Sequence, residues 1–266
     1  MPPCRCRAAC RSPPSPSGGP GRRTPACWRR RSWPSAAGRS ASGSSASRWS
    51  SPRASRGRTC ACRGRSRLRA TAEAAVAALA AGALVVFPTE TVYGLGADAL
   101  SADAVARLLA VRGREEGKPI LVLVTDLAMA ETVAAVIPPA ARRLAARFWP
   151  GPLTLVLPAR EHLPAPLTAG SGTIGVRVPG HPVAAALVAG LGRPITAPSA
   201  NPPGRTPPRQ LDDARACFGD GVAVYLDGGE LPGGASTVAA VEEGRVRVLR
   251  PGRVSGEALS RVLEGD

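Results

Sequence analysis

Cysteine is almost missing from the sequence beyond residue 70, where Cys217 is the single exception. This scarcity excludes a disulfide framework for the larger part of the chain, and we expect a reduced domain in the cytoplasm. The six cysteines of residues 1–70 lack the paired spacing of zinc ligands, so no metal site is predicted there. No apolar run approaches the roughly 20 residues of a membrane-spanning helix, and no secretory signal is visible.

Acidic residues are absent from residues 1–70, which hold 17 arginines and no lysine. Residues 71–266 carry 18 basic and 19 acidic side chains and are therefore close to neutral. The formal net charge of +16 thus describes the N-terminal segment alone. This distribution removes the electrostatic argument for polyanion binding by the rest of the chain.

Residues 1–70 also contain very little Leu, Ile, Val or Phe and are rich in Arg, Ser, Pro and Gly. Such a composition cannot bury enough apolar surface to offset the loss of chain entropy, so we predict disorder. Three origins stay open: translation from upstream of the true start in a GC-rich gene, a basic tail that touches RNA, and an organellar transit peptide. Residues 71–266 are predicted to form one domain.

Helical and strand patterns mix irregularly along residues 71–266. Helices are predicted from Thr71 to Gly82, after Ser101, and over 138–149. Apolar runs bounded by Pro and Gly predict strands within 83–88, 118–126, 152–159, 172–180, 194–200, 222–229, 236–242 and 245–252. We therefore expect an α/β fold, an open sheet of mixed direction with helices packed on it.

Polar side chains gather at the ends of these predicted strands. Thr91 follows the first strand, Arg177 lies late in the fourth, and Ser199, Ser236 and Arg250 accompany later ones. Hydroxyl groups and arginines at strand ends of an α/β sheet favour a ligand crevice. Arginines without acidic neighbours in sequence favour an anionic ligand, because guanidinium binds phosphate or carboxylate through two parallel hydrogen bonds.

Lys118 is the only lysine of the chain and lies close to Arg112 and Arg114, just before a predicted strand. Two interpretations stay open for it. It is either a phosphate ligand or an exposed cation that stabilises a helix end.

The common catalytic templates are missing. The sequence contains no G-x-x-x-x-G-K-[ST] motif, so a nucleotide would not be held by a P-loop. His162 and His181 are the only histidines, and their proline-containing loops favour surface placement over a catalytic triad. Glu90 is the one carboxylate in the densest polar motif, where we expect it to orient neighbouring hydroxyl groups.

Six segments, in this order, resemble the YrdC/TsaC family of L-threonylcarbamoyladenylate synthases. They are FPTETVYGLGADAL, RGR…KPI, FWPGPLTLVL, TIGVRVPGHP, PITAPSANPPG and STV…VLRPG, between about residues 85 and 255. The resemblance implies a YrdC-like open, twisted mixed sheet with flanking helices and a deep ligand crevice.

The resemblance also implies a reaction. L-threonine, bicarbonate and ATP would be joined to threonylcarbamoyl-AMP with release of pyrophosphate, ATP entering with Mg²⁺ and no prosthetic group being bound tightly. The product would serve a separate transferase complex that modifies the adenosine next to the anticodon of tRNA. Direct contact with tRNA or other double-stranded RNA is a further implied expectation, and no membrane contact is implied.

Matching the segments to the family assigns ligand roles to individual residues. Threonine binding is assigned to Thr91, Arg177, Ala197 and Ser236. ATP binding is assigned to Arg114, Lys118, Thr173, Ser199, Pro207 and Arg250. No residue is assigned as a covalent catalyst or as a metal ligand.

The chain departs from the family pattern at several positions. Many relatives have Lys-x-Arg-Pro where this chain has Arg112, Gly113, Arg114 and Glu115, which places a carboxylate near the expected phosphates. Leu123 stands where some relatives have a histidine that contacts threonine. We also expect the additional C-terminal domain of longer relatives to be absent.

Two other functions compete with the synthase. The first is a YrdC-like RNA-binding or maturation module without adenylate synthesis, against which the near-neutral charge of residues 71–266 argues. The second is a carbamoyl-transfer domain of the hydrogenase-maturation type, which the lack of accompanying zinc-finger and acylphosphatase segments disfavours.

Overall fold

A computed structural model describes residues 72–115, 117–242 and 244–265. The predictions of disorder over residues 1–70 and of a helix cap at Thr71 lie outside these residues. Within them, no helix is both long enough and apolar enough to cross a membrane.

Eight α-helices, one short 3-10 helix (Gly219–Gly221) and nine strands build the described part of the chain. The helices are α1 (72–80), α2 (Ala102–Arg112), α3 (Leu127–Val133), α4 (Pro139–Phe148), α5 (Ala165–Thr168), α6 (Pro182–Leu191), α7 (Leu211–Phe218) and α8 (Gly256–Glu264). The strands are β1 (Val85–Pro88), β2 (Tyr93–Gly96), β3 (Leu121–Leu123), β4 (Leu153–Pro158), β5 (Thr173–Arg177), β6 (Ile195–Thr196), β7 (Val224–Tyr225), β8 (Thr237–Glu242) and β9 (Arg245–Arg250).

The strands form two sheets of mixed direction. The smaller sheet has the order β2-β1-β7 and the larger one the order β6-β3-β5-β4-β8-β9. In the larger sheet β3 pairs with β5 and β4 with β8 in parallel, whereas the other neighbours are antiparallel. The predicted open sheet of mixed direction with flanking helices is therefore confirmed.

Backbone hydrogen bonds join the two sheets through β2 and the chain that follows β6. Thr196 N donates to Ala97 O at 2.9 Å, and Leu95 N donates to Pro198 O at 2.9 Å. The end of β6 is therefore fixed beside β2, and polar residues from distant parts of the sequence meet there.

Helices cover both faces of the sheets, so the central strands are apolar on both sides. Along β1, Val86 packs in the larger core cluster, while Val85 and Phe87 pack in the smaller one with α1 and α6. Along β3, Val122 and Leu123 divide in the same way. Burial on both faces explains why these strands read as continuous apolar runs rather than as alternating patterns.

Each predicted strand segment contains an observed strand, but β2 was not predicted. Its sequence, Tyr-Gly-Leu-Gly, has a low strand propensity because glycine is conformationally free. Close packing explains its glycines, since a Cβ atom at Gly96 would lie only 2.8 Å from the ring of Phe87. The helices α3, α5, α6 and α8 were not predicted either.

Polar residues immediately before several helices accept hydrogen bonds from free backbone N–H groups of the first helical turn. The Ser101 hydroxyl accepts from Ala104 N at 3.3 Å, which confirms the predicted start of α2. The same role is played by Asp126 before α3 and by Ser255 before α8.

Gly252 is a position where the backbone leaves no room for a side chain. An added Cβ atom would lie 2.5 Å from Ala235 O and even closer to Thr237 N. We expect Gly252→Ala to lower the free energy of unfolding by about 1–3 kcal/mol, because the backbone before β8 must shift. Urea unfolding followed by circular dichroism measures the change.

Gly256→Ala is the matched control, because the added Cβ atom would meet only the Val248 side chain, at an ordinary 3.5 Å. Gly256 opens α8, so this substitution should leave stability unchanged or raise it by about 0.5–1 kcal/mol. Equal losses in the two variants would contradict the packing explanation.

Candidate active site

A cavity of about 210 Å³ lies where the polar strand ends meet. It is lined by eight of the ten residues to which the sequence assigns ligands, namely Thr91, Arg114, Lys118, Arg177, Ala197, Ser199, Ser236 and Arg250. The prediction that polar groups at strand ends converge on one crevice is therefore confirmed for Thr91, Arg177, Ser199, Ser236 and Arg250. The ligand roles of the eight residues stay predictions.

Thr173 and Pro207 do not line this cavity. Thr173 begins β5 and Arg177 ends it, so the two residues lie roughly 13 Å apart along the strand. The Thr173 hydroxyl lies 2.9 Å from that of Ser171. Pro207 is exposed in the loop between β6 and α7. The assignment of ATP contacts to these two residues stays a prediction from the family resemblance.

Arg177 carries the most deeply buried charge of the cavity. It is 2% exposed, its Nη2 atom lies 3.4 Å from Glu90 Oε2, and its Nε atom has no hydrogen-bond partner among the described residues. Burial lowers the pKa of Arg177, and Glu90 opposes that shift. A buried N–H donor without an acceptor is costly, so this guanidinium favours a ligand with a negatively charged acceptor oxygen.

Glu90 orients an arginine rather than the neighbouring hydroxyl groups that the sequence suggested. One carboxylate oxygen accepts from Arg177, and the other lies 3.5 Å from Gly180 N. The backbone carbonyl of Glu90 accepts from Arg253 Nη1 at 2.9 Å. These contacts fix the turn between β1 and β2 against the ends of β5 and β9.

Thr89 and Thr91 shape that same turn. The Thr89 hydroxyl donates to Val92 O at 2.6 Å and accepts from Thr91 N at 3.3 Å. Thr91 O accepts from Gly233 N at 2.9 Å, so the loop before β8 closes over the turn. The threonine-rich motif therefore builds a fixed turn that places the Thr91 side chain at the cavity wall.

Ser236 and Arg250 form a second polar wall. Arg250 Nη2 donates to both Ser236 O and Ser236 Oγ at 3.1 Å. The Ser236 hydroxyl also lies 3.3 Å from that of Thr154, a residue that the sequence did not single out. Burial lowers the pKa of Arg250, and Glu115 opposes that shift.

Arg112, Glu115 and Lys118 form the third wall, at the end of α2. Glu115 Oε1 accepts from Arg112 Nη2 at 3.0 Å, and Oε2 accepts from Lys118 Nζ at 2.8 Å. Arg112 Nε also donates to Ser199 O at 3.0 Å. Hydrogen bonds from Lys118 and Arg112 hold the pKa of Glu115 below its usual range. Of the two interpretations of Lys118, its position favours a role in the cavity.

Apolar residues complete the lining, and sequence reasoning missed them. They are Val92, Leu108, Leu109, Pro119, Ile120, Leu121 and Pro166. Pro166 reaches the cavity because α5 packs against α2, a contact between segments about 55 residues apart that no local pattern reveals. The cavity thus combines an apolar surface with cationic walls, as sites for organic anions do.

The lining carries five cations and one carboxylate, Glu115, and no cluster of three or more His, Cys, Asp or Glu side chains exists among the described residues. This arrangement suits a ligand with several negative charges. It does not form a cage of protein oxygens for a metal ion, so a divalent cation would have to arrive with the ligand's own oxygens.

Both histidines lie outside the cavity lining. His162 is exposed, as expected. His181 is half-buried and caps α6, where its Nδ1 atom accepts from Val183 N at 3.2 Å. Burial lowers the pKa of His181. Neither histidine is placed as a base for a nucleophile in the cavity.

Comparison with known proteins identifies the fold's relatives. The Sua5/YciO/YrdC family model, described as telomere recombination, matches residues 77–252. A protein of Pyrococcus abyssi named threonylcarbamoyl-AMP synthase is 43% identical over 183 residues, which are 68% of this chain and 54% of that protein. A protein of the same name from Halorhodospira halophila is 38% identical over 64% of this chain and 88% of that protein.

A solved structure, P. abyssi Sua5 in complex with L-threonine, superposes with a TM-score of 0.69 and 41% identity. The match covers 72% of this chain and 56% of that one. In both P. abyssi comparisons, the match spans little more than half of the longer protein. The family match covers the strands, α2 and the loops that build the cavity, and the chain belongs to the Sua5/YciO/YrdC family.

Proposed function

We propose that this chain is a threonylcarbamoyl-AMP synthase, which joins L-threonine, bicarbonate and ATP and releases pyrophosphate. The names of the relatives support this function, as does a relative's complex with L-threonine. The observation that carries it is the meeting of buried Arg177, small hydroxyl groups and four further cations in one cavity.

The chemistry suits a site that lacks a nucleophilic side chain. The amine of threonine adds to carbon dioxide derived from bicarbonate and loses a proton, which gives a carbamate. A carbamate oxygen then attacks the α-phosphorus of ATP, and the bond to the pyrophosphate oxygen breaks. The protein must hold the reactants in line and stabilise the negative charge on the phosphates, and arginines and one lysine suffice for both tasks.

The threonine end of the site is proposed around Arg177. Its guanidinium would bind the α-carboxylate, which would satisfy the Nε donor that has no protein partner. The hydroxyl groups of Thr91 and Ser236 and the backbone of Ala197 line the same cavity and would hold the rest of the amino acid.

The nucleotide end is proposed along the other two walls. Arg114, Lys118 and Arg250 would contact phosphates, and the Ser199 hydroxyl would contact ATP. Arg112 joins this set because its Nη2 atom donates to Glu115, the carboxylate that also accepts from Lys118. The apolar surface from α2 and α5 offers room for the base.

We propose that ATP enters as its magnesium complex. In the described part of the lining, Glu115 is the single carboxylate, and both of its oxygens already accept hydrogen bonds. Magnesium in nucleotide sites is usually bound by phosphate oxygens and water rather than by several protein ligands. A lining with so few protein carboxylates is compatible with magnesium bound in that way. When bound, the cation would neutralise charge on the leaving pyrophosphate.

The product is a mixed anhydride that needs a separate acceptor reaction. We propose that a tRNA-modifying transferase complex consumes it in the cytoplasm, and that any contact of this chain with tRNA is secondary to adenylate synthesis. The near-neutral charge of residues 71–266 supports that order of importance.

Pyrophosphate release by the full-length chain tests the proposal. With ATP and Mg²⁺ present, release should require both L-threonine and bicarbonate, and mass spectrometry should detect threonylcarbamoyl-AMP. Release without threonine would indicate ATP hydrolysis instead. A folded protein that releases no pyrophosphate under any of these conditions would favour a binding or maturation module.

Arg250 and Arg247 offer a matched pair on β9. Arg250 reaches Ser236 at the cavity, whereas Arg247 is exposed and pairs with Glu242 on the surface. We expect Arg250→Ala to lower kcat/KM for ATP by about 100-fold, because a charge contact to phosphate is lost in a partly buried site. Arg247→Ala should change kcat/KM less than about twofold, since exposed ion pairs contribute little.

Steady-state kinetics at saturating threonine measures both arginine variants. Circular dichroism confirms that each is folded. Similar kinetics in the two variants would remove Arg250 from the nucleotide site.

Glu90→Gln tests the support of Arg177. The substitution leaves a buried guanidinium without its anionic partner, which should lower the free energy of unfolding by about 2–5 kcal/mol. L-threonine should restore part of the loss, because its carboxylate supplies a replacement charge. Thermal unfolding with and without threonine measures the effect. A threonine concentration of about 10 mM is used because it exceeds typical KM values.

Glu242→Gln is the control for Glu90→Gln, because it removes one carboxylate from an exposed pair with Arg247. It should lower stability by less than about 1 kcal/mol, with no added response to threonine. A Glu90→Gln variant as stable as this control would show that Arg177 does not depend on Glu90.

A further inference from the structure

Among the described residues, Glu115 is the only acidic one that lines the cavity, together with five cationic side chains. Its two oxygens are divided between two of them, Arg112 at 3.0 Å and Lys118 at 2.8 Å. Arg250 also lies within the electrostatic reach of Glu115, which raises the pKa of Arg250 against the effect of burial. The carboxylate is therefore hydrogen-bonded to two of the groups proposed to contact phosphates.

An anion at this position stabilises Arg112. Its side chain is 8% exposed, and a buried cation is costly unless an opposite charge and hydrogen bonds compensate it. Glu115 supplies that compensation in the absence of a ligand. A phosphate oxygen at the same position would offer the same charge and the same acceptor geometry.

The two partners of Glu115 stay in place without it. Arg112 keeps a second anchor, because its Nε atom donates to Ser199 O at 3.0 Å. The Lys118 side chain is 73% exposed, so water solvates its ammonium group. Loss of the carboxylate would therefore leave both cations present and directed at the cavity.

The chain around Glu115 contains two glycines and borders open space at one of them. Gly113 and Gly117 both have positive φ, 86° and 68°, which non-glycine residues rarely adopt. A Cβ atom at Gly117 would meet nothing within 4 Å, so the segment borders open space on that side. Glu115 lies between these two glycines, and we expect its side chain, which is 33% exposed, to leave the cavity toward solvent.

We propose that Glu115 occupies the place of a phosphate group between Arg112 and Lys118, and that an incoming phosphate displaces it. Glu115 is thus an internal competitor that lowers the apparent affinity for polyphosphate by the fraction of time it occupies this place. Its return would help to expel pyrophosphate after the reaction. The proposal deepens the proposed function, on which the placement of the triphosphate rests.

Calorimetric titration of the full-length chain with pyrophosphate, without Mg²⁺ and at one fixed ionic strength, tests the proposal. Pyrophosphate is used because its binding needs neither threonine nor adenylate synthesis. Glu115→Gln keeps the shape of the side chain and removes its charge, so it should tighten binding by about three- to tenfold. The control, Glu131→Gln, removes a carboxylate from an exposed pair with Arg142 and should leave binding unchanged.

A second pair of variants identifies the cations involved. Glu115→Asp keeps the charge but is too short to bridge both partners, so it should tighten binding by a smaller factor. If Glu115→Gln does not fold, pyrophosphate binding by Glu115→Asp tests the competition by Glu115 instead. In an Arg112→Ala background, Glu115→Gln should lose most of its gain, because one of the cations it frees is missing.

Unchanged or weaker pyrophosphate binding by Glu115→Gln would overturn the proposal, as would a lack of pyrophosphate binding by every variant. The titration is then repeated with Mg²⁺. Weaker pyrophosphate binding by Glu115→Gln only in that repeat would also overturn the proposal and would identify Glu115 as a metal ligand. If the chain binds pyrophosphate as expected but makes no threonylcarbamoyl-AMP, the proposed function fails and the competition by Glu115 stands.

Discussion

The buried charge of Arg177 is the constraint on which the site depends. A guanidinium at the end of a central strand, almost closed off from water, needs an anionic partner, and Glu90 supplies one at 3.4 Å. That need explains why the turn between β1 and β2 is tied down by several hydrogen bonds. It also leaves the buried Nε donor without a hydrogen-bond partner among the described residues, so the same arginine stabilises the fold and prepares the site.

Much of the fold could be predicted because burial on both faces leaves a clear sequence signal. Apolar runs such as the one ending at Pro88 are typical of strands covered by helices, and each predicted run contains a strand. β2 was missed because its glycines make room for the ring of Phe87. Local strand propensity carries no information about that contact. The short helix α5 was missed because only its packing against α2 gives it a role.

The polar half of the site was predictable, and the apolar half was not. Arginines and hydroxyl residues at strand ends, such as Arg250 and Ser236, stand out because they interrupt apolar runs. Leu108 and Leu109 read simply as core residues of α2 until the cavity shows what they face. Glu115 was visible as a departure from the family pattern, but its division between two cations needed the structure.

The central claim is that the site recognises an amino-acid carboxylate through Arg177, and a comparison of two ligands tests it most directly. L-threonine and L-threoninol differ in that the second has a hydroxymethyl group in place of the carboxylate. Calorimetry with the full-length chain should show L-threonine binding and a loss of affinity of about 30-fold or more for L-threoninol. Equal affinities for the two compounds would show that Arg177 does not hold the carboxylate and would contradict the account.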